Sequence, residues 1–129
     1  MKDLDVQMVS TTIVNKCLVV PIQVELFDET IIQLQSDILE KIEKEDLRGV
    51  IIDLSAVNIV DSFLANKFRE IGYQTFLMGV NTVLTSLKPE VAASIADMEY
   101  DLGNVLTARD QDHAFQIIDQ IQKALFKTF

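Results

Sequence analysis

Apolar residues along this chain recur at two different spacings, and the changes between them lay out the elements. Thr11 to Val14 and Cys17 to Val24 are short runs rich in β-branched residues. Each predicts a strand, with a turn at Asn15-Lys16 between them. From Asp28, as cap, to about Asp46 the spacing becomes helical: Ile31, Leu34, Ile38 and Ile42 share a stripe, with Leu39 beside them. Gln33, Asp37, Glu40, Lys41 and Lys44 form the opposite, solvated face. Gly49 to Leu54 is apolar without alternation, as in a central parallel strand covered on both sides. A second helical pattern opens at Ser62 and runs to Met78, and Gly79 ends it. Val80 to Leu84 predicts a fourth strand. Pro89 suits the first turn of a short helix to about Tyr100. Asn104 to Thr107 reads as a last short strand, and Asp110 caps a final helix bearing Ala114, Ile117, Ile118, Ile121 and Leu125.

Strands alternating with helices at this spacing predict an α/β layer with mainly parallel pairing, and the right-handed crossover rule limits its topologies. The 129 residues suit one domain with one core, spanning residues 1–129. The first residues, to about Val9, have no clear period and read as an arm.

Charge narrows the partners. Twenty acidic residues against eleven Lys and Arg give a formal net charge of -9. That balance argues against nucleic acid, which needs clustered cations, and against an anionic membrane surface. A basic protein partner stays open, because charge mostly sets solubility and encounter rate. No run approaches the roughly 18 apolar residues of a spanning helix. The start of the chain, Met1-Lys2-Asp3-Leu4-Asp5, has no apolar signal region, and the cytoplasm is the expected compartment. The single cysteine, Cys17, lies in an apolar strand and reads as a buried small hydrophobe.

Several chemistries have no motif here. There is no Gly-x-x-x-x-Gly-Lys loop, no Gly-x-Gly-x-x-Gly fingerprint, no Cys pair or His-x-x-x-His spacing for zinc, and no Gly-x-Ser-x-Gly elbow. No cofactor and no metal are expected. The only histidine, His113, sits early in the last helix as a surface or partly packed residue. Asp53 is a carboxylate inside an apolar strand, where bonds to nearby backbone N–H groups would hold it. Asp53 and Asp61 would form a receiver-like acidic pocket only if they met, with Lys88 as its lysine.

The step Asp61-Ser62 carries the most information. It follows the apolar run Gly49-Val50-Ile51-Ile52-Asp53-Leu54 and the link from Ser55 to Val60, and it opens a helix. Backbone N–H groups are free at a helix start and the helix dipole is positive there, so an anion is stabilised, including a phosphate on the serine itself. The structural alternative is that Asp61 or Ser62 simply caps the helix. On the helical wheel Leu64, Phe68, Ile71 and Thr75 form the core stripe, while Phe63, Lys67, Glu70 and Gln74 fall on another face. Phe63 is thus a ring among polar neighbours, either an interface anchor or a side chain tucked under a loop. A phosphate adds about −1.5 to −2 charge, which the helix start favours by roughly 0.3–1 kcal/mol, so it would not melt the helix. A switch here must act locally, on a partner covering Ser62 and Phe63.

At these residues the chain resembles the STAS domain family, the anti-sigma-factor antagonists. Val50-Ile51-Ile52-Asp53-Leu54 and the link ending in Asp61-Ser62 are similar to the family's phosphorylation segment, and Thr82 to Pro89 to its following strand and loop. The common antagonists read Asp-Ser-Ser-Gly-Leu where this chain reads Asp61-Ser62-Phe63-Leu64-Ala65. That variant, with the segment from Cys17 to Asp28, resembles the RsbS type, the stressosome scaffold. The resemblance implies a STAS fold, a small mostly parallel sheet with helices packed on it, and a non-enzymatic phospho-acceptor. It implies that Ser62 accepts phosphate. Asp61, Phe63 and Lys67 flank it as the expected contact surface. It implies an RsbT-type serine kinase as the captured partner, RsbR-type STAS paralogues in a homo- and hetero-oligomer, and an RsbX-type phosphatase for reset. Two alternatives stand beside this: a free-standing antagonist binding an anti-sigma kinase one to one, and a small ligand-binding or enzymatic α/β module.

Overall fold

The computed structural model describes residues 9–22, 28–99 and 101–128, the last three by backbone only. The elements run β1 (Thr12–Val14), β2 (Cys17–Pro21), α1 (Asp28–Lys44), β3 (Gly49–Asp53), α2 (Ser62–Leu77), β4 (Asn81–Thr85), α3 (Pro89–Asp97), β5 (Leu106–Ala108) and α4 (Gln111–Thr128). The expected arm, up to Met8, and the expected strand end at Gln23-Val24 lie outside the described residues.

Five strands form one sheet in the order β1-β2-β3-β4-β5. β1 and β2 are antiparallel, joined through Asn15 and Lys16, which both take positive φ. The other three pairings are parallel. The register aligns Leu18, Val50 and Thr82, then Val19, Ile51 and Val83, then Val20, Ile52 and Leu84. β3 is therefore central, and its first four residues are buried, which explains its unbroken apolar run.

Alternate residues face opposite layers. Leu18, Val20, Val50, Ile52 and Leu84 pack with Ile31, Leu34 and Ile38 of α1, Phe68 and Ile71 of α2, and Val91 and Ile95 of α3. Cys17, Ile51 and Val83 turn the other way and pack with Ala114 and Ile118 of α4. Burial pushes the Cys17 thiol above its ordinary pKa, against an opposing influence from Arg48. Arg48 also ties the smaller layer together: its Nη1 lies 2.6 Å from Asp119 of α4, and its Nε donates to the Asn15 carbonyl at 2.9 Å. Leu125, expected on the apolar stripe of the last helix, is exposed.

Three boundaries differ from the sequence reading for local reasons. α2 ends in a Schellman motif: Gly79 takes φ +83°, its N–H donates to Phe76, and the Val80 N–H donates back to Thr75. Val80 is thereby engaged in the cap, and β4 starts at Asn81. The Gly103-Asn104 turn, with Gly103 at φ +65°, likewise moves β5 to Leu106. α3 stops at Asp97, short of Tyr100, and Glu99 takes positive φ.

Candidate functional site

The site begins where β3 stops. Because β3 and β4 are parallel, the loops leaving them emerge at the same edge of the sheet, where α/β proteins gather their sites. Asp53 turns its carboxylate back to accept the Ser55 N–H at 2.9 Å, so it closes a turn. Val57 and Val60 are buried and pin the link from beneath, while Ile59 between them is 66% exposed. Lys88, in the loop after β4, donates to Asn58 Oδ1 at 2.6 Å and ties the two loops together. The lysine thus serves an amide of the link. Among the described residues no three His, Cys, Asp or Glu gather as metal ligands.

Asp61 is the N-cap of α2. It has extended backbone (φ −87°, ψ 178°), its Oδ1 accepts the Leu64 N–H at 2.9 Å, and its carbonyl accepts the Ala65 N–H. Ser62 stands one place inside, at the first helical position, exposed to solvent. The cap is therefore Asp61, and the Ser62 hydroxyl is left out of that task. The Ser62 and Phe63 amides are among the orphan donors of the helix start, and they give this end of α2 its positive character.

Phe63 is 36% exposed, so its ring is partly packed and partly presented. The Lys67 ammonium stands 5.6 Å from the ring centre and 3.2 Å from Glu70 Oε1. Glu70 also accepts from Asn66 at 3.0 Å and from Gln35 of α1 at 3.3 Å, and Gln35 donates to Gln74 at 2.7 Å. The Lys67 hydrogen bond, with those from Gln35 and Asn66, holds the Glu70 carboxyl below its ordinary pKa. The face carrying Phe63, Lys67, Glu70 and Gln74 thus leans on α1 through a buried glutamine. Ser62 and Phe63 stand together at its upper end, and Lys67 is half-buried below them. Sequence reasoning passed over Gln35, Asn58 and Ile59. Only the exposed isoleucine beside Ser62 carried a signal that could have been noticed.

Elsewhere, His113 is half-exposed and accepts the Arg109 N–H on Nδ1, while its own N–H is capped by Asp110. No helix among the described residues is long and apolar enough to cross a membrane.

Comparison with known proteins identifies the family and the fold. The family model for the STAS domain matches residues 8–109. The chain is similar to the structure of a variant of Moorella thermoacetica RsbS: 30% identity, TM-score 0.76, over 89% of this chain and 97% of that one. A chain from a structure of the stressosome, described as a signal integration and transduction hub, gives 31% identity and a TM-score of 0.74, over 88% and 98%. The RsbT co-antagonist protein RsbRD of Bacillus subtilis is 30% identical over 70 residues, which is 54% of this chain and 25% of that protein. The chain thus matches about a quarter of the length of that curated relative. The anti-sigma factor antagonist SpoIIAA, at 16% identity and TM-score 0.66, shares the fold.

Proposed function

The chain belongs to the STAS domain family, and from that premise we propose that it is a regulatory phospho-acceptor of the RsbS type whose switch is Ser62. In its unmodified state it captures an RsbT-type serine kinase. Phosphorylation of Ser62 releases that kinase, and an RsbX-type phosphatase resets the site. RsbR-type STAS paralogues are its partners in a larger homo- and hetero-oligomer.

One observation carries the reading. Ser62 is a solvent-facing hydroxyl at a helix start whose cap is already supplied by Asp61. A serine retained only to cap would occupy position 61. Phe63 next to it and Ile59 three residues before it present apolar surface to solvent, which suits a protein contact more than a small substrate. A phosphate placed within such a contact is a buried, uncompensated charge. That costs several kcal/mol, and about 1.4 kcal/mol is already tenfold in affinity. The helix itself tolerates the anion, so release follows without unfolding.

The test is kinase capture by purified protein with and without Mg-ATP. Ser62→Ala should hold the kinase in both conditions. Ser62→Asp, with a single charge, should weaken capture. Release from Ser62→Ala at the wild-type rate would show that the switch lies elsewhere.

A further inference from the structure

α2 has an outward stripe that starts at Ser62 and runs on beyond the site above. Ser62, Asn66, Arg69, Tyr73 and Leu77 follow at intervals of three and four residues, so they line one face along the whole helix. Solvent-facing stripes are ordinarily polar. This one ends in Tyr73, 55% exposed, and Leu77, 66% exposed, with Phe76 exposed beside them. Midway along it lies an open groove of about 380 Å³ lined by Asn66, Arg69, Glu70, Tyr73, Gly103 and Asn104.

Arg69 gives the groove its chemistry. Its guanidinium lies along Gly103, where an added Cβ would stand only 3.4 Å from Nε. Among the described residues no carboxylate forms an ion pair with it, although acidic groups outnumber basic ones in the chain. Two carboxylates of this region, Glu70 in the same groove and Asp101 in the Gly103 turn, are engaged elsewhere. Glu70 is held by Lys67, Asn66 and Gln35. Asp101 accepts the Gly103 N–H at 2.8 Å within its own turn. Arg69 is therefore a forked cation offered outward beside an exposed tyrosine, and arginine and tyrosine are the residue types that dominate binding energy at protein interfaces.

We infer that this stripe is part of the kinase-docking surface, with Arg69 receiving an acidic side chain of the captured kinase and Tyr73 and Leu77 packing beside it. The inference rests on the capture reading above. Size supports continuity with the switch: at about 1.5 Å rise per residue, Ser62 and Leu77 are roughly 22 Å apart. An interface of about 800 Å² per partner is roughly 30 Å across, so one contact patch is wide enough to hold both Ser62 and the far end of the stripe. A small anion is the weaker occupant, because ligand sites enclose most of their ligand and this groove is open.

The test is the affinity of purified switch kinase for wild type, Arg69→Glu and Arg69→Gln at low and high salt, with melting temperatures and release on Ser62 phosphorylation measured alongside. Arg69→Glu should weaken capture on the order of tenfold or more at low salt, with the difference shrinking at high salt. Phosphorylation should still release whatever is bound. If Arg69→Glu loses melting temperature, Arg69→Gln decides: weaker capture at wild-type melting supports the docking surface. Capture by Arg69→Gln within about twofold of wild type overturns it. Wild-type affinity in Arg69→Glu, with phosphorylation still releasing the kinase, overturns the surface and leaves the Ser62 switch standing. Failure of the wild type to capture the kinase removes both. Orthophosphate binding centred on Arg69 with capture unchanged would make the groove a small-anion site and overturn the inference.

Discussion

The Lys67 ammonium sits 5.6 Å from the centre of the Phe63 ring, one turn along α2, and is shared with the Glu70 carboxylate. The contact favours a ring laid along its own helix, and Phe63 is one-third exposed at the surface. Phe63→Ala should weaken kinase capture on the order of tenfold. Its stability loss should fall well short of the about 3–5 kcal/mol of a core Phe→Ala change. Isothermal titration and thermal melting of the same samples separate the two. A core-sized stability loss would make the ring structural.

Asp61 and Ser62 divide one helix start between them, and single substitutions should show the division. Asp61→Ala removes the bond to the Leu64 N–H and should cost about 1 kcal/mol, whereas Asp61→Asn should retain most of it. Ser62→Ala should leave stability near wild type. Urea denaturation of the three variants reads this directly. An equal loss in Ser62→Ala would return the capping role to the serine.

The close approach of α2 to the start of β5 depends on Gly72. A Cβ there would overlap Val105 Cγ2 and come within 3.2 Å of the Val105 backbone N. Gly72→Ala should therefore destabilise by roughly 1–3 kcal/mol despite the helix preference for alanine. Val105→Ala in the same chain should recover part of it, because the closest contact is a side-chain methyl. A Gly72→Ala protein as stable as wild type would contradict this packing.

Glu70 joins α1 and α2 as a carboxylate, and its pKa is held below the ordinary 4.5, first by Lys67. A depressed carboxyl pKa contributes stability above its unfolded value and loses it as pH falls through the folded one. The contact should be complete at neutral pH and weaken in acid, below about 4.5. NMR titration of the Glu70 carboxyl should show the low value in wild type and a rise in Lys67→Met. No rise would assign the shift to Gln35 and Asn66.

Much of this arrangement was legible in the residues. The unbroken run from Val50 to Leu54 marked β3 as central, Pro89 marked the start of α3, and Asp61-Ser62 marked the start of α2. What stayed hidden depends on contacts between elements. Gln35 reads as a polar helix residue, and only the packing of α1 on α2 buries it against Glu70 and Gln74. Which of Asp61 and Ser62 caps the helix is a matter of one backbone torsion, and both residue types satisfy the same preference. The shift of β4 from Val80 to Asn81 follows from the hydrogen bond Val80 gives to Thr75 in the helix cap, a pairing that apolar spacing does not encode.

The most direct test of the central claim is peptide mass analysis of wild type and Ser62→Ala after incubation with Mg-ATP and the switch kinase. We predict one added phosphate in the wild type, mapped to Ser62 and absent from the variant, appearing as the kinase dissociates. A wild-type chain that releases active kinase while Ser62 stays unmodified, or a phosphate that persists in Ser62→Ala, would contradict the account.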